Sequence, residues 1–173
     1  MTTPTRRMAR KYAGQPEHAE RPLRGYAMVL GTYTVVVSAL GLLGRHFGVR
    51  LPDRITWADT LLLGTATHKA SRLLSKDAVT SPLRAPFTQF EENTGMGEVN
   101  ESVRGRGVQH ATGELLTCPF CLAVWTSTGL TAGMVFAPRF TRLLSTMLTA
   151  VGLSDALQIG YDAARESIKK ASS

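Results

Sequence analysis

Residues Gly25-Tyr-Ala-Met-Val-Leu-Gly-Thr-Tyr-Thr-Val-Val-Val-Ser-Ala-Leu-Gly-Leu-Leu-Gly44 form a run of 20 residues without a charge. As an α-helix this run is about 30 Å long, which matches the hydrocarbon core of a bilayer. Tyr26 stands near one end, where interfacial aromatic residues are common. The run therefore predicts a membrane-spanning helix. It is expected to be retained as an anchor, because the polar residues 14–24 separate it from the upstream arginines.

The charges of the chain are strongly segregated. Its 173 residues carry a formal net charge of +7 and are 43% hydrophobic. Leu115–Pro138 is a second stretch without a charge, and charged residues crowd the segments between the apolar runs. A soluble helical protein usually distributes its charges so that each helix keeps one polar face. This pattern favours an integral membrane protein.

The sequence predicts an all-α membrane bundle of about four helices with a long cytoplasmic loop. Thr56-Trp-Ala-Asp59 is typical of a capping box that opens the second helix. Pro119 suits the first position of the third helix, and Pro138 ends it. The helical domain is expected to cover residues 25–164, with spans near 25–44, 56–75, 118–137 and 141–164 and a polar loop at 76–113. Residues 1–24 are predicted to be a disordered basic tail, and 165–173 a second basic tail.

The second helix has a short apolar centre, so it either crosses the membrane or lies at its interface. If it crosses, both termini and the long loop share one side, which then holds 15 of the 20 Lys and Arg residues. If it does not cross, one side of the membrane holds 12 Lys and Arg residues and the other side holds 8. Because cytoplasmic segments are rich in Lys and Arg, we expect four spans in a bacterial cell membrane, with both termini cytoplasmic.

This topology brings three charged residues to a similar depth in the membrane. The second and fourth helices descend in the same direction, so Asp155 would lie level with Lys69 and Arg72. An unpaired charge at that depth costs several kcal/mol. We therefore expect Asp155 to pair with Lys69 or Arg72, the alternative being that each side chain extends to the headgroups.

Cys118-Pro-Phe-Cys121 is the most chemically suggestive motif. Cysteines three positions apart share one helix face, and a helix N-terminus stabilises a thiolate. Three interpretations remain open: structural thiols, a redox pair, or a zinc site completed by His110 or by a second chain, since zinc usually takes four ligands. Apart from this pair no catalytic motif is found, so the chain is not expected to be an enzyme and zinc is the one cofactor considered.

The polar loop at 76–113 is the expected site of contact with a partner. Two prolines exclude a regular helix there, and a long loop without secondary structure is usually functional or disordered. The candidate contact residues are Asp77, Ser81, Pro82, Arg84, Pro86 and Phe87. Arg104-Gly-Arg-Gly107 is similar to RNA-binding repeats, but a single copy without interleaved aromatic residues makes nucleic acid an unlikely partner.

Several blocks of the sequence occur together in one known family. They are Thr56–Asp59 with Leu61-Leu-Leu-Gly64, the Lys76–Phe87 block, and Gly113–Leu122 followed by Trp125 and Ser154-Asp155. Over roughly residues 55–164 the chain resembles the bacterial domain-of-unknown-function family numbered thirteen-sixty. The resemblance implies a small membrane protein, in a family with one sporulation-associated member, and it supplies no activity.

Three functions remain from the sequence. The first is a non-enzymatic membrane scaffold or accessory subunit, whose cytoplasmic loop binds a protein partner or a second copy of the chain. The second is a thiol-redox or metal-binding membrane protein that uses Cys118 and Cys121. The third is a tether that holds nucleic acid at the membrane.

Overall fold

The computed structural model describes residues 22–171. Most of the predicted N-terminal tail, residues 1–21, lies outside this range, as do residues 172 and 173. In chain order the elements are helices α1 (Leu23–His46) and α2 (Trp57–Ser75), a 3₁₀ turn (Ala78–Thr80), helix α3 (Ser81–Arg84), strands β1 (Thr88–Gly95) and β2 (Glu98–Val103), and helices α4 (Val108–Thr117), α5 (Pro119–Phe136) and α6 (Pro138–Ala171).

A β-hairpin lies where the sequence predicted an unstructured loop. β1 and β2 pair antiparallel, from Thr88 opposite Val103 to Gly95 opposite Glu98. The turn uses positive φ angles at Gly95 (92°) and Gly97 (78°), which glycine adopts without steric cost. The all-α prediction is therefore wrong in this segment, and the fold is mainly helical with one small two-stranded sheet.

Three of the helices are long and apolar enough to cross a membrane, namely α1, α5 and α6. This agrees with the predicted membrane class, although α2 does not meet the same criterion, so four spans do not follow from hydropathy alone. The last helix is longer than predicted. It continues through residue 165, where a tail was expected, and its 34 residues make a rod of about 51 Å.

Both predicted helix starts in the middle of the chain are confirmed. Thr56 Oγ1 accepts a hydrogen bond from the Asp59 N–H (3.1 Å), and the Asp59 carboxylate accepts one from the Thr56 N–H (3.2 Å), which completes the capping box. Cys118 caps α5, with its sulfur accepting from the Cys121 N–H at 3.2 Å, and Pro119 is the first helical residue. α4 and α5 are thus separated by one extended residue, Cys118.

Helices α2 and α6 lie side by side and run in the same direction. At one end an Arg142 nitrogen lies 2.7 Å from an Asp59 carboxylate oxygen. At the other end Lys69 Nζ lies 2.8 Å from Asp155 Oδ2. These two contacts are about 15–20 Å apart along the helices, at roughly 1.5 Å per residue.

The interface between α2, α5 and α6 is built from small side chains. Ala66 and Ala70 of α2 are buried against Leu130 and Leu148. Three serines, Ser71, Ser75 and Ser145, are also buried. Most large apolar residues of α1 and α6 point outward instead. Small residues between helices and large apolar residues outside are typical of helices packed in lipid.

Helix α1 packs on the other side of α5 and runs parallel with it. Tyr33 and Trp125 meet edge to face with their ring centroids 5.1 Å apart. Nearer the start of α1, Gly25 touches the backbone at Gly107. One end of the bundle, beside the hairpin, therefore contains the N-termini of α1 and α4, the C-terminus of α2 and the distal part of α6.

Candidate functional site

Arg84 is at the centre of a compact unit formed by residues 76–107, which we call the hairpin module. The side chain of Arg84 is 0% exposed. Its guanidinium donates to both carboxylate oxygens of Glu101, with Nε–Oε2 and Nη2–Oε1 distances of 2.7 and 3.1 Å. Such a bidentate ion pair is both stronger and more directional than a single charged hydrogen bond. It joins α3 to strand β2.

The remaining N–H groups of Arg84 bind acceptors from three other parts of the chain. They donate to the backbone carbonyls of Leu74 (2.8 Å) and Asp77 (3.1 Å) and to the hydroxyls of Thr80 (2.7 Å) and Ser81 (3.2 Å). A buried guanidinium is tolerated when its donors are satisfied in this way. Arg84 therefore ties the end of α2, the 3₁₀ turn and α3 to the hairpin.

The electrostatics of the pair favour the charged form of Glu101. Burial alone raises the pKa of this carboxyl group. Hydrogen bonds from Arg84, Ser81 and Thr88, with the positive charge of Arg84, outweigh that effect. The pKa of Glu101 is consequently held below its ordinary value, and the carboxylate is ionised at neutral pH.

A second charge pair and one backbone hydrogen bond attach the hairpin to the end of α2. Arg72 binds Glu98 with nitrogen–oxygen distances of 2.6 Å to both carboxylate oxygens. The Val99 N–H donates to the Lys76 carbonyl at 2.9 Å. The hairpin module is therefore anchored to the end of a bundle helix and is not a freely hanging loop.

The structure separates the three charges that the sequence grouped together. Lys69 lies beside Asp155, whereas Arg72 turns to Glu98 in the hairpin module. Lys69 is the more buried partner of its pair, with 15% of its side chain exposed against 44% for Asp155. Two separate ion pairs thus hold the same end of α2.

The predicted partner-contact residues divide into three groups by burial. Arg84 lies in the interior, and its side chain serves the fold of the module. Pro82 and Pro86 are exposed, while the other predicted residues, Asp77, Ser81 and Phe87, are half-buried.

Four large apolar residues of the module are exposed and were not predicted, namely Val79, Leu83, Phe90 and Met96. We call Val79, Leu83 and Met96 the apolar patch. Val79 and Leu83 are one helical turn apart in sequence. The Ala78 N–H donates to the Gly97 carbonyl at 2.9 Å, which brings the segment around Val79 to the hairpin turn that carries Met96. The i, i+4 spacing of Val79 and Leu83 was the sequence signal available, but the turn contact was not visible.

A groove of about 710 Å³ lies between α1, α4 and α5. Cys118 and Cys121 line it, and neither is in a disulfide. His110 is not among the residues that line the groove, and its Nε2 lies 3.5 Å from the Glu114 carboxylate. Within residues 22–171 no three His, Cys, Asp or Glu side chains are arranged to hold a metal ion. The proposed zinc site would therefore need ligands from a second chain.

The architecture defines a helical protein with three potential membrane spans and a folded hairpin module at one end of the bundle. The chain belongs to the family described as "Protein of unknown function (DUF1360)", whose model matches residues 62–161. This confirms the family that the sequence motifs indicated. The matched region contains the hairpin module and most of the helical bundle, but not α1.

One similar protein is "Sporulation protein YjcA" of Bacillus subtilis (strain 168). It is 31% identical over 101 residues, which cover 57% of this chain and 86% of that relative. No solved structure matches the chain significantly.

Proposed function

We propose that this protein is a non-enzymatic scaffold of the bacterial cell membrane, which holds the hairpin module at the cytoplasmic face to bind a protein partner. The observation that carries the proposal is the apolar patch on a module whose backbone is fixed by Arg84. Val79 is 83% exposed, Leu83 62% and Met96 82%. Grouped exposed apolar side chains commonly mark an interaction surface.

The backbone beneath the apolar patch is held in one conformation, which favours the interpretation that the patch is a binding surface. The Arg84 guanidinium donates to the Asp77 carbonyl and to the Ser81 hydroxyl, which lie before and after Val79 in the segment that leads to Leu83. A surface that is already ordered loses little conformational entropy when a partner binds. The patch is therefore suited to specific docking.

The topology of the proposal has four spans, with α2 as the fourth. α2 runs beside α6 from the Asp59–Arg142 contact to the Lys69–Asp155 contact. If α6 crosses the membrane, α2 crosses beside it. The hairpin module then shares its side with the distal end of α6 and the start of α1, where Lys and Arg residues are most numerous. By the positive-inside rule that side is cytoplasmic.

The similarity to a sporulation protein supports a role in a membrane assembly of that process or of an equivalent one. The region shared with the family, residues 62–161, contains the Arg84 unit and most of the α2–α5–α6 bundle. We propose that this shared part is the scaffold proper.

The test is photo-crosslinking in the cell from a reactive amino acid placed at residue 96. We expect discrete crosslinked protein bands that disappear in the variant V79D/L83D. The matched control is L51D/I55D, since Leu51 and Ile55 are equally exposed apolar residues at the opposite end of the bundle. Bands that persist in V79D/L83D, or that vanish equally in the control, would overturn the proposal.

A second candidate function rests on the two thiols. Cys118 and Cys121 share the lining of one groove with Tyr26, Glu114 and Trp125. Two thiols on one turn of helix fit either disulfide exchange or half of a metal site shared by two copies of the chain.

A further inference from the structure

We infer that the groove between α1, α4 and α5 binds an acyl chain of an anionic phospholipid, whose phosphate is held by Arg24, Arg104 and Arg106. This inference rests on the membrane location in the proposed function, but not on the docking of a protein partner. It concerns a different surface from the apolar patch.

The walls of the groove are suited to a hydrocarbon chain. Val29 and Leu30 of α1 face Leu115 of α4 and Val124 of α5. The volume of about 710 Å³ falls within the range of roughly 300–1,000 Å³ typical of small-molecule sites. The helix α1 that forms one wall of the groove has no buried residue in its apolar window, so the groove is open along that side. A lipid tail can therefore enter from the side.

The mouth of the groove is where α1 and α4 touch most closely. A Cβ atom at Gly25 would lie 2.4 Å from the Gly107 carbonyl oxygen and 2.9 Å from the Ala111 Cβ, so the two backbones are in contact there. Arg24 and Arg106 are the chain neighbours of these two glycines. Ala111 is itself a lining residue of the groove, as is Tyr26. Arg24 and Arg106 therefore stand at the entrance to the apolar walls, and Arg104 is two residues from Arg106 along the chain.

The three arginines have charges that the described part of the chain does not neutralise. Arg24, Arg104 and Arg106 are exposed, and none forms an ion pair with residues 22–171. At the same end of the molecule, Arg72 and Arg84 each bind a carboxylate through two oxygens. An unpaired guanidinium has the fork of donors that matches a phosphate group.

The depth of the arginines in the membrane is also appropriate for contact with a lipid phosphate. Arg24 stands at the start of α1, where the headgroup layer meets the hydrocarbon core. The groove's acidic residue, Glu114, is occupied within the protein: the Tyr26 hydroxyl donates to it at 2.5 Å, and His110 lies 3.5 Å away. Basic residues between spanning helices attract anionic headgroups. A phosphatidylglycerol or cardiolipin molecule therefore fits the site, with its phosphate at the arginines and an acyl chain in the groove.

Native mass spectrometry of the full chain in mild detergent tests the headgroup contact. Phosphatidylglycerol and phosphatidylcholine with identical acyl chains are titrated separately. We expect phosphatidylglycerol to bind at lower concentration, and R104Q/R106Q to weaken it by about tenfold or more, since each basic residue near an anionic surface contributes about 1 kcal/mol. The matched control R50Q/R54Q removes two exposed arginines from the opposite end of the bundle and should bind as the wild type does.

The variant V29W tests the acyl-chain contact, because an indole ring would fill the groove between α1 and α4. It should reduce the binding of both lipids and leave the three arginines in place, and L30W serves if V29W does not fold. Equal binding of the two lipids by the wild type, or an equal loss in R50Q/R54Q, would overturn the inference. So would undiminished binding in a folded groove-filling variant. V79D/L83D should bind lipid normally, which separates this inference from the docking proposal.

Discussion

The hairpin module and the helix bundle are stabilised in opposite ways. In the module the most buried side chain is Arg84, and hydrogen bonds to its guanidinium connect four segments of the chain. In the bundle the most buried residues are small, with Ala66 and Ser145 both 0% exposed. The large apolar residues of α1 and α6 lie outside.

The proposed topology, with the hairpin module in water and the bundle in lipid, accounts for this difference. A unit of about 30 residues in water cannot bury enough apolar surface to be stable by that means alone, so residues 76–107 rely on one saturated charge pair. In lipid, burying a large apolar side chain gains little, because the hydrocarbon outside is equally apolar. Close approach of helix backbones through small residues is then the main source of stability.

Removal of the charge at Arg84 should have the largest effect. Arg84→Ala leaves Glu101 buried without its partner, and breaking a buried pair in this way costs about 3–5 kcal/mol. We expect the hairpin module to unfold while the bundle remains, seen as rapid proteolysis and hydrogen exchange confined to residues 76–107. The matched control is Arg72→Ala, because 43% of the Arg72 side chain and 23% of the Glu98 side chain are exposed, and loss of this partly exposed pair should cost about 1 kcal/mol or less. Equal protection of the module in both variants would contradict the central role of Arg84.

Enlargement of a small residue in the bundle should have the next largest effect. Ala66→Leu inserts a large side chain between α2, α5 and α6, and overpacking of this kind costs about 1–3 kcal/mol. The control is Gly64→Leu, because a Cβ atom at Gly64 meets nothing within 4 Å. Thermal unfolding in detergent should show a lower midpoint for Ala66→Leu only. A similar loss in both variants would mean that α2 does not pack as described.

Reversal of the charge at Asp155 tests whether the Lys69 pair stabilises the bundle. Asp155→Lys places two positive charges together, and we expect a loss of about 1–2 kcal/mol, moderated by the partial exposure of Asp155. The double exchange Lys69→Asp with Asp155→Lys should recover most of it in the same unfolding measurement. Failure of the exchange to rescue would indicate that the two side chains reach the headgroups separately.

Acidification should loosen the module by a smaller amount. The pKa of Glu101 is lowered in the folded state, so the unfolded chain binds more protons in acid and the stability from this group is lost as the pH falls. That contribution is complete above the ordinary glutamate pKa of about 4.3 and disappears as the pH drops through the lower folded value. Hydrogen exchange of residues 76–107 should increase below about pH 4.5. Glu101→Gln, although less stable at neutral pH, should lose this part of the pH dependence.

Replacement of both cysteines should have the smallest effect on stability. Cys118→Ser still offers an oxygen to cap α5, and Cys121 is exposed, so we expect a change within about 0.5 kcal/mol. A protein that acts as a scaffold should keep its crosslinking pattern in the double Cys→Ser variant. Loss of function with unchanged stability would favour the thiol-based alternative, and metal analysis of the wild type would then distinguish its two forms.

The sequence predicted correctly those features that depend only on residues close together in the chain. The Thr56–Asp59 capping box, the cap at Cys118 and the apolar runs of α1 and α5 depend on neighbouring residues, and the structure has them as predicted. The family, too, was identified from short blocks of residues in order.

The hairpin was missed because its strands lack the usual pattern. β1 has the sequence Thr-Gln-Phe-Glu-Glu-Asn-Thr-Gly, which is polar almost throughout and does not alternate. Gly95-Met-Gly97 between Phe90 and Val99 was the available turn signal. The role of Arg84 could not be predicted either, because its partner Glu101 is 17 positions away. A basic residue between two prolines is normally expected to be exposed.

The length of α6 has a consequence for how the protein meets its surroundings. A hydrocarbon core of about 30 Å accounts for some 20 residues of helix, so in the proposed topology roughly the last 20 Å of this rod extend beyond the bilayer beside the hairpin module. A stiff helix transmits force along its axis. In that topology, an assembly that binds this projecting end would tilt α6 and, through the Lys69–Asp155 contact, move α2 with it, so that a force applied in water changes the packing of helices in the membrane.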